Sequence, residues 1–174
     1  MGPTSKPADL TARLVSAGFI LHGRRAVMAM DLMKLTENKI PDGVKIQVVE
    51  NKKMLGEWLK SVSAGLFKRE MDINPFSGIL NDKRVKFYAA IFEKKIVSTS
   101  MVFMSSGVAG IYCVSTLPEF RNKGIGKATT TAALLDAKKS GYKYGILQAS
   151  EMGEIIYKKI GFEEVCKADF LDYK

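Results

Sequence analysis

The sequence has few of the residues that build metal sites and disulfide frameworks. Its 174 residues include two cysteines, Cys113 and Cys166, and one histidine, His22. Two cysteines cannot form a four-cysteine zinc site, and a single histidine cannot complete a mixed cysteine and histidine site. The same scarcity excludes a disulfide-stapled fold and restricts any Ser-His-Asp chemistry to His22. We therefore expect reduced thiols and no metal.

Long apolar segments are also missing. No uninterrupted apolar run reaches the roughly 20 residues of a membrane span, and the longest one near the start, residues 15–21, lacks the layout of a signal peptide. We therefore expect a cytoplasmic protein without membrane contact. The composition, 47% hydrophobic and 26% charged, is typical of a globular domain and excludes a disordered or collagen-like chain.

The charge is positive but dispersed. Lys and Arg number 27 against 18 Asp and Glu, which gives a net charge of +9. The basic residues recur in pairs such as Arg24-Arg25 and Lys158-Lys159, and none of these pairs grows into the basic tract of five to eight residues typical of nucleic-acid binding. This pattern disfavours a nucleic-acid partner but leaves attraction of an anionic ligand open.

The first 40 residues are predicted to form an N-terminal extension. Residues 1–8 contain Gly2, Pro3 and Pro7 and little to bury, which indicates a loose tail. A helix is predicted over residues 9–16, followed by two short strands, 19–21 and 26–30, around Gly23. Because an unpaired sheet edge invites association, this extension is our candidate for a homodimer contact.

Residues 41–174 have the pattern of an α+β domain. Asn51 is a predicted N-cap of a helix with Trp58 on its apolar face, whereas residues 66–80 give no clear pattern. Three β-rich segments joined by short polar links predict an antiparallel meander, and strand-helix-strand patterns follow it. The predicted elements are strands at 44–49, 85–92, 96–104, 108–115, 144–149 and 162–170, and helices from Ile125 to Ser140 and at 153–160. Ile125, Ala128, Ala132 and Leu135 share the predicted buried face of the longer helix, and Gly141 ends it.

The loop from Arg121 to Lys127 carries the clearest chemical signal. It joins a predicted strand to the N-terminus of a helix, where backbone N–H groups lack helical partners and the helix dipole is positive. Gly124 and Gly126 let a ligand approach the backbone closely, and Arg121, Lys123 and Lys127 add positive charge. These features predict a phosphate-binding site.

Two common phosphate motifs do not fit this loop. A Walker A motif needs a glycine where Arg121 stands and a hydroxyl where Ala128 stands. A dinucleotide fingerprint needs a third glycine or alanine three residues after the second one and a parallel βαβ unit, but Thr129 follows and an antiparallel meander precedes the loop. Nucleoside triphosphates and dinucleotides are therefore disfavoured.

Two motifs in order resemble the GNAT superfamily of acetyl-CoA-dependent N-acetyltransferases. They are Arg121-x-x-Gly124-x-Gly126 after the strand that ends at Thr116, and Tyr157-x-x-x-Gly161-Phe162. The resemblance runs from about Val85 to Phe170. It implies a mixed, mostly antiparallel, twisted sheet with helices on both faces and a V-shaped splay between the strands at 108–115 and 144–149.

The resemblance also implies roles for individual residues. The main chain of Val114, Ser115 and Thr116 would pair with the pantetheine arm of acetyl-CoA, and Val114 N–H would stabilise the oxyanion. Tyr157 would give a proton to the departing thiolate, and Ser150 stands where many members carry a pantetheine-binding Asn. The pyrophosphate would bind the amides of Arg121, Asn122, Lys123, Gly124, Ile125, Gly126 and Lys127.

The implied reaction is transfer of the acetyl group to a primary amine, in a ternary complex without a covalent enzyme intermediate. The acceptor, a small molecule or a peptide, is not identified by any motif. Glu70, Glu119 and Glu151 are candidates for the general base, and a water chain is the alternative. Lys123 or Lys158 is a candidate for binding the 3′-phosphate of the coenzyme. It is an equally good interpretation that each is simply a solvated lysine.

Purely structural roles also remain open for several residues. Cys113 and Cys166 are expected to pack as small apolar residues, and Trp58, Phe67 and Phe76 are core residues by default, although they could line the acceptor site. Two other functions also stay open: a non-catalytic acyl-CoA-binding module and, less favoured, a basic nucleic-acid-binding protein.

Overall fold

A computed structural model describes residues 1–67 and 70–173, with the side chain of Phe67 excepted. The chain divides into two compact units, one of residues 1–30 with 146–174 and one of residues 31–145. No helix in the described ranges combines the length and apolarity needed to cross a bilayer.

The helices are α1 (Leu10–Ser16), α2 (Lys52–Val62), α3 (Asn74–Ile79), α4 (Ile125–Lys139) and α5 (Glu151–Ile160). The strands are β1 (Phe19–Asp31), β2 (Val44–Val48), β3 (Val85–Phe92), β4 (Lys95–Ser105), β5 (Val108–Thr116), β6 (Tyr144–Ala149) and β7 (Glu163–Tyr173).

The larger unit is built on the antiparallel order β2-β3-β4-β5. Two-residue turns join its last three strands, and both turns have positive φ angles at their central residues: Glu93 and Lys94, then Ser106 and Gly107. Turns of this kind match the right-handed twist of the flanking strands. The predicted antiparallel meander is therefore confirmed.

Helices cover both faces of this four-stranded array. On one face, Trp58 of α2 is fully buried and meets Phe87 of β3 edge-on, with ring centroids 5.1 Å apart. On the other face, Ile125 of α4 packs in one cluster with Ala90 and Val97. Each such side chain contributes about 1.5–3 kcal/mol through burial. The predicted α+β class with mostly antiparallel strands is thus confirmed.

The buried face of α4 differs from the prediction. Ala132 and Leu135 are only half-buried, while Ala133, Leu134 and Ala137 are fully buried. The helix packs against the strands and also against the segment that follows β1. The contact with that segment includes two hydrogen bonds of 3.1 Å each from Lys138 Nζ, to the carbonyls of Met33 and Leu35. Two packing surfaces spread burial around the helix, so a single apolar stripe does not describe it.

The predicted irregular stretch between α2 and β3 contains two short helical segments. A π-helical turn, Ser63–Phe67, continues α2, and α3 follows at Asn74–Ile79. Asp72 accepts a hydrogen bond from the Asn74 amide at 3.0 Å and so helps to begin α3. Neither segment has the length or the apolar period that would make it visible in the sequence.

The smaller unit pairs β1 with β7 in antiparallel register, and β6 lies beside β1. The prediction of two short strands around Gly23 is wrong, since β1 is one strand of 13 residues. Gly23 has a φ of +106° and lies at a register shift between Leu21 and Arg24. The glycine therefore marks a bulge within one strand rather than a break between two.

The N-terminal residues of this unit are also tied down where a loose tail was predicted. The main chain of Met1 exchanges two hydrogen bonds with that of Asp169, at 2.6 and 2.7 Å. The α5 helix begins two residues earlier than predicted, because the Ser150 hydroxyl accepts from the Gly153 amide at 3.2 Å and caps it. The division at residue 40 and the V-shaped splay stay predictions.

Candidate functional site

The loop between β5 and α4 presents a row of main-chain N–H groups. Asn122 and Gly124 both have left-handed backbone angles, with φ of +61° and +75°. The Arg121 amide donates to Pro118 O at 3.2 Å, and the Ala128 amide begins the helical pattern by donating to Gly124 O at 3.0 Å. Within the described chain, none of the six amides of residues 122–127 between them has an acceptor. Such a run of amides without acceptors is suited to an anion.

The electrostatics of α4 add to this suitability. The helix has 15 residues, and no side chain of the residues that the structure describes caps its N-terminus at Gly124. Its positive dipole end therefore remains available to a negative ligand. The ammonium groups of Lys123 and Lys95 lie 5.2 and 5.8 Å from the centre of the Phe120 ring. Because Lys95 is paired with Glu119 at 3.0 Å, the net positive charge beside the loop comes from Lys123.

Gly126 allows α4 to begin very close to the end of β5. A Cβ atom at this position would lie 2.8 Å from Thr116 Oγ1. Thr116 Oγ1 is itself 2.9 Å from Ser98 Oγ on the neighbouring strand. The second glycine of the motif therefore has a packing reason here, because only a residue without Cβ leaves both hydroxyls in place.

A β-bulge lies in β5 just before the loop. Ser115 pairs with Thr99 and Tyr112 with Met101, so that Cys113 and Val114 together stand opposite the single residue Ser100. Cys113 has a φ of +50°, and the Thr99 hydroxyl donates to its carbonyl at 2.9 Å. A bulge turns the main-chain groups of a strand away from the regular ladder. It occurs at the segment predicted to bind pantetheine and the oxyanion, and no glycine marked it in the sequence.

The Cys113 thiol has the environment of a packing residue. It packs against the apolar cluster between α2 and the strands, and burial raises the pKa of the thiol to about 11. A thiol with this pKa is protonated near neutral pH and is a poor nucleophile. The environment therefore agrees with the expectation that Cys113 contributes to packing.

Tyr157 lies in the smaller unit, on α5. It is 8% exposed, and its ring meets Phe162 edge-on at 5.9 Å. Gly153 makes room for the ring, since a Cβ atom there would lie 3.0 Å from Tyr157 Cε2. Burial raises the pKa of Tyr157 to about 12, so the phenol holds its proton at physiological pH. Such a group can donate a proton but is not a resting base.

A groove of about 820 Å³ opens in the larger unit beside the π-helical turn. Ser63 and Ala64 of the turn form one side of it, and the next residue, Gly65, contacts Ser115 of β5. The groove has an apolar part, two carboxylates and one ammonium group. These are Leu59, Met71 and Ile73, then Glu70 and Asp72, and Lys60.

The predicted base and aromatic candidates separate clearly in the structure. Glu119 pairs with Lys95 at 3.0 Å, whereas Glu70 lines the groove and Glu151 stands in the first turn of α5. Trp58 is a core residue, Phe76 packs on it with centroids 6.3 Å apart, and the side chain of Phe67 lies outside the described residues.

The remaining candidates are far less informative about chemistry. His22, for which the sequence suggested no partner, lies 3.3 Å from Asp172, and both side chains are exposed. Lys158 pairs with Glu154 at 2.6 Å within α5. In the described ranges, no three His, Cys, Asp or Glu side chains come together as ligands for a metal ion.

One protein-family model matches the middle part of the chain. The family model of the acetyltransferase (GNAT) domain matches residues 83–164, a little under half of the chain. These residues include the meander, the bulge, the amide-lined loop, α4 and Tyr157. No curated protein matches the sequence.

Solved structures share the fold at low sequence identity. A GCN5-related N-acetyltransferase from Kribbella flavida is 22% identical with a TM-score of 0.74 over 94% of this chain and 63% of its own. One from Sphaerobacter thermophilus is 16% identical with a TM-score of 0.77 over 97% of this chain and 56% of its own. An aminoglycoside acetyltransferase from an uncultured soil metagenomic sample is 19% identical with a TM-score of 0.61, over 71% of this chain and 90% of its own. The chain thus spans less than two thirds of the first two of these proteins.

Proposed function

We propose that this chain is a GNAT acetyltransferase that transfers the acetyl group of acetyl-CoA to a primary amine, since the family model of that domain matches residues 83–164. The observation that carries the proposal is the row of six amides at residues 122–127 that lack an acceptor in the described chain. A coenzyme diphosphate matches them in charge and in hydrogen-bonding need. Arg121, at the head of the loop, completes the predicted coenzyme site.

The proposed reaction is a direct transfer. Acetyl-CoA supplies the acetyl group as a thioester, and the neutral amine attacks its carbonyl carbon as the C–S bond breaks. Val114 N–H is our candidate donor to the oxyanion, and main-chain groups of Ser115 and Thr116 are our candidates for holding the pantetheine arm. The amine nitrogen releases one proton, and the departing thiolate takes one up from Tyr157.

The pKa of Tyr157 supports its role as a proton donor. Burial keeps the phenol protonated, and the thiol that it protonates has an ordinary pKa of about 8.5. Proton transfer from the phenol to the thiolate is therefore unfavourable when judged from the two pKa values alone. We expect its contribution to the rate to come from the positioning of the two groups. Ser150 stays a candidate for the pantetheine arm, in addition to its hydrogen bond to the Gly153 amide.

We further propose that the acceptor enters through the groove beside the π-helical turn. The groove adjoins Ser115 through Gly65, and its apolar part is suited to the body of an organic amine. Of the three carboxylates considered as general base, Glu70 is the one that lines this groove. Glu70 is therefore our candidate to accept the proton that the amine loses.

A thiol-release assay over an amine panel tests this proposal. The panel contains aminoglycosides, polyamines, amino acids and peptides with free N-termini, and acetyl-CoA is the donor. Turnover of at least one class with release of one thiol per acetyl group supports the proposal. Coenzyme binding without turnover of any amine would favour the acyl-CoA-binding module instead. Binding of duplex or RNA without coenzyme binding would favour the nucleic-acid alternative.

A cytoplasmic location stays part of the proposal, and both cysteines are free.

A further inference from the structure

The side chain of Arg121 bridges two main-chain carbonyls that are distant in the sequence. Its Nε donates to Thr116 O at 3.1 Å, and its Nη2 donates to Gly65 O at 3.0 Å. Thr116 is the last residue of β5, and Gly65 lies in the π-helical turn Ser63–Phe67. Arg121 itself immediately precedes the six amides at residues 122–127. One guanidinium group therefore touches the strand end and the turn at the head of the amide-lined loop.

The π-helical turn packs on β5 without spare room. A Cβ atom at Gly65 would lie 2.1 Å from Ser115 Oγ and 3.2 Å from Thr116 O. The Ser115 hydroxyl is also 3.4 Å from the carbonyl of Ser61, at the end of α2. Any change in the position of the turn must therefore move β5 or break the contact with Arg121. Because interiors are close-packed, such displacements are not absorbed gradually.

The same turn forms a side of the proposed acceptor groove. Ser63 and Ala64 line the groove, and Gly65 is the next residue along the chain. The position of this side of the groove is thus set partly by a side chain that belongs to the coenzyme loop. Nothing in the local sequence around Gly65 indicates this dependence, because its partner lies 56 residues further on.

We infer that Arg121 is a positioning residue that couples the coenzyme loop to the acceptor groove. The inference rests on the proposed function, since it takes the loop as the coenzyme site and the groove as the acceptor site. A planar guanidinium group donates from two nitrogens at a fixed spacing and angle, whereas an ammonium group that bonds two carbonyls, as Lys138 does, donates to both from one freely rotating nitrogen. Coenzyme that fixes the position of the loop also fixes the turn through the two bonds of Arg121, so the acceptor meets a groove whose side is already in place. By linkage, the acceptor tightens coenzyme binding by the same factor.

The test compares Arg121→Lys with Lys123→Gln. Arg121→Lys keeps the positive charge at the head of the loop but has one donating nitrogen in place of the two, Nε and Nη2, that hold the carbonyls of Thr116 and Gly65. Lys123→Gln removes a charge from the same loop, and the Lys123 side chain has its described contact with Phe120 rather than with Gly65. Calorimetry with acetyl-CoA, acceptor KM from thiol release, and amide hydrogen exchange of residues 61–66 are measured for both variants and for the parent protein.

The inference predicts opposite patterns for the two variants. Arg121→Lys loses exchange protection at residues 61–66 even in the free protein, and its acceptor KM rises about fivefold or more. Its dissociation constant for acetyl-CoA, measured without acceptor, stays within about twofold because the charge is retained. Lys123→Gln weakens acetyl-CoA binding, while its protection at residues 61–66 stays at the parent value and so does its acceptor KM once acetyl-CoA is saturating. A cooperative urea transition establishes that each variant is folded. If Arg121→Lys is not folded, Arg121→Gln replaces it for exchange protection and for acceptor KM at saturating acetyl-CoA, but not for coenzyme affinity, because glutamine lacks the charge.

Two kinds of failure are distinguishable. If the parent protein binds acetyl-CoA but Arg121→Lys leaves the protection of residues 61–66 and the acceptor KM unchanged, the inference is overturned while the proposed function stands. If the parent protein gives no heat with acetyl-CoA, the proposed function fails and the coupling fails with it. In that case the free-protein exchange data still decide whether Arg121 holds the turn.

Discussion

A Cβ atom on Gly126 would lie 2.8 Å from Oγ1 of Thr116. This distance shows how closely the start of α4 approaches the end of β5. Thr116 has no room to withdraw, because its hydroxyl is 2.9 Å from that of Ser98. The loop geometry therefore depends on the packing of one glycine as well as on the glycine-rich motif itself.

Gly126→Ala tests that dependence. We expect the added methyl group to push α4 away from β5, to cost about 1–2 kcal/mol of unfolding free energy, and to weaken acetyl-CoA binding about tenfold. Gly78→Ala in α3 is the matched control, because a Cβ atom there meets nothing within 4 Å. In a helix this control is expected to gain up to about 1 kcal/mol. Urea unfolding and calorimetry measure both effects, and equal behaviour of the two variants would contradict the packing argument.

Tyr157→Phe tests the proposed proton donor. Removing one oxygen atom leaves the ring contact with Phe162 in place, so coenzyme affinity should change little. We expect kcat to fall about a hundredfold, as is typical when a general acid is removed. Steady-state kinetics with separate determination of kcat and the coenzyme dissociation constant measure this effect. Turnover equal to that of the parent protein would remove Tyr157 from the mechanism.

The same residue predicts a pH dependence of stability. Its pKa is raised from 10.0 to about 12 by burial, so the folded state holds this proton more tightly than the unfolded state does. The corresponding stability, about 2–3 kcal/mol, is fully present below pH 10 and is lost as the pH rises from 10 to 12. Urea unfolding at a series of pH values should show a shallower alkaline decline for Tyr157→Phe. Parallel declines for the variant and the parent protein would contradict the assignment.

Asp136 on α4 provides a prediction at acid pH. Its carboxylate accepts hydrogen bonds from Lys86 Nζ and Tyr88 OH on β3, both at about 2.6 Å or less. Burial raises the pKa of Asp136, but the two hydrogen bonds outweigh it and hold the pKa below its ordinary value. A lowered pKa in the folded state stabilises the protein above the unfolded value near 4, and this stability is lost as the pH falls through the folded value.

Asp136→Asn should therefore destabilise the protein by about 1–3 kcal/mol at pH 7, since it weakens one bond to an ammonium group and one to a buried phenol. The difference from the parent protein should shrink below pH 4. Asp42→Asn is the control, because Asp42 and its partner Lys39 are both highly exposed, and it should be nearly neutral. Urea unfolding from pH 3 to 7 gives both results. A constant difference across that range would rule out the proposed titration.

The sequence predicted the parts of the fold that local chemistry controls. Asn51 caps α2 by accepting from the Met54 amide, and Gly141 follows α4 with a φ of +86°, as their residue types indicate. The loop motif is also local, which is why the candidate coenzyme site could be located from residues 121–127 alone.

The features that were missed depend on contacts between distant residues. Gly23 predicts a break between two strands, but pairing with β7 continues β1 on both sides of this glycine. The buried face of α4 was misplaced because a second surface, near Met33 and Leu35, covers part of the helix. The bond between Arg121 and Gly65 could not be foreseen, since it joins a motif to a segment without any periodic pattern.

The central claim is that the amides of residues 122–127 bind the diphosphate of coenzyme A. Two-dimensional ¹⁵N–¹H spectra of the assigned protein test it most directly, with coenzyme A in one titration and pantetheine, which has no diphosphate, in the other. The account predicts that coenzyme A shifts the amide signals of residues 122–127 more than any other continuous segment of the larger unit, and that pantetheine leaves those six signals nearly unmoved. Saturable shifts at another segment, with signals 122–127 unchanged, would contradict it.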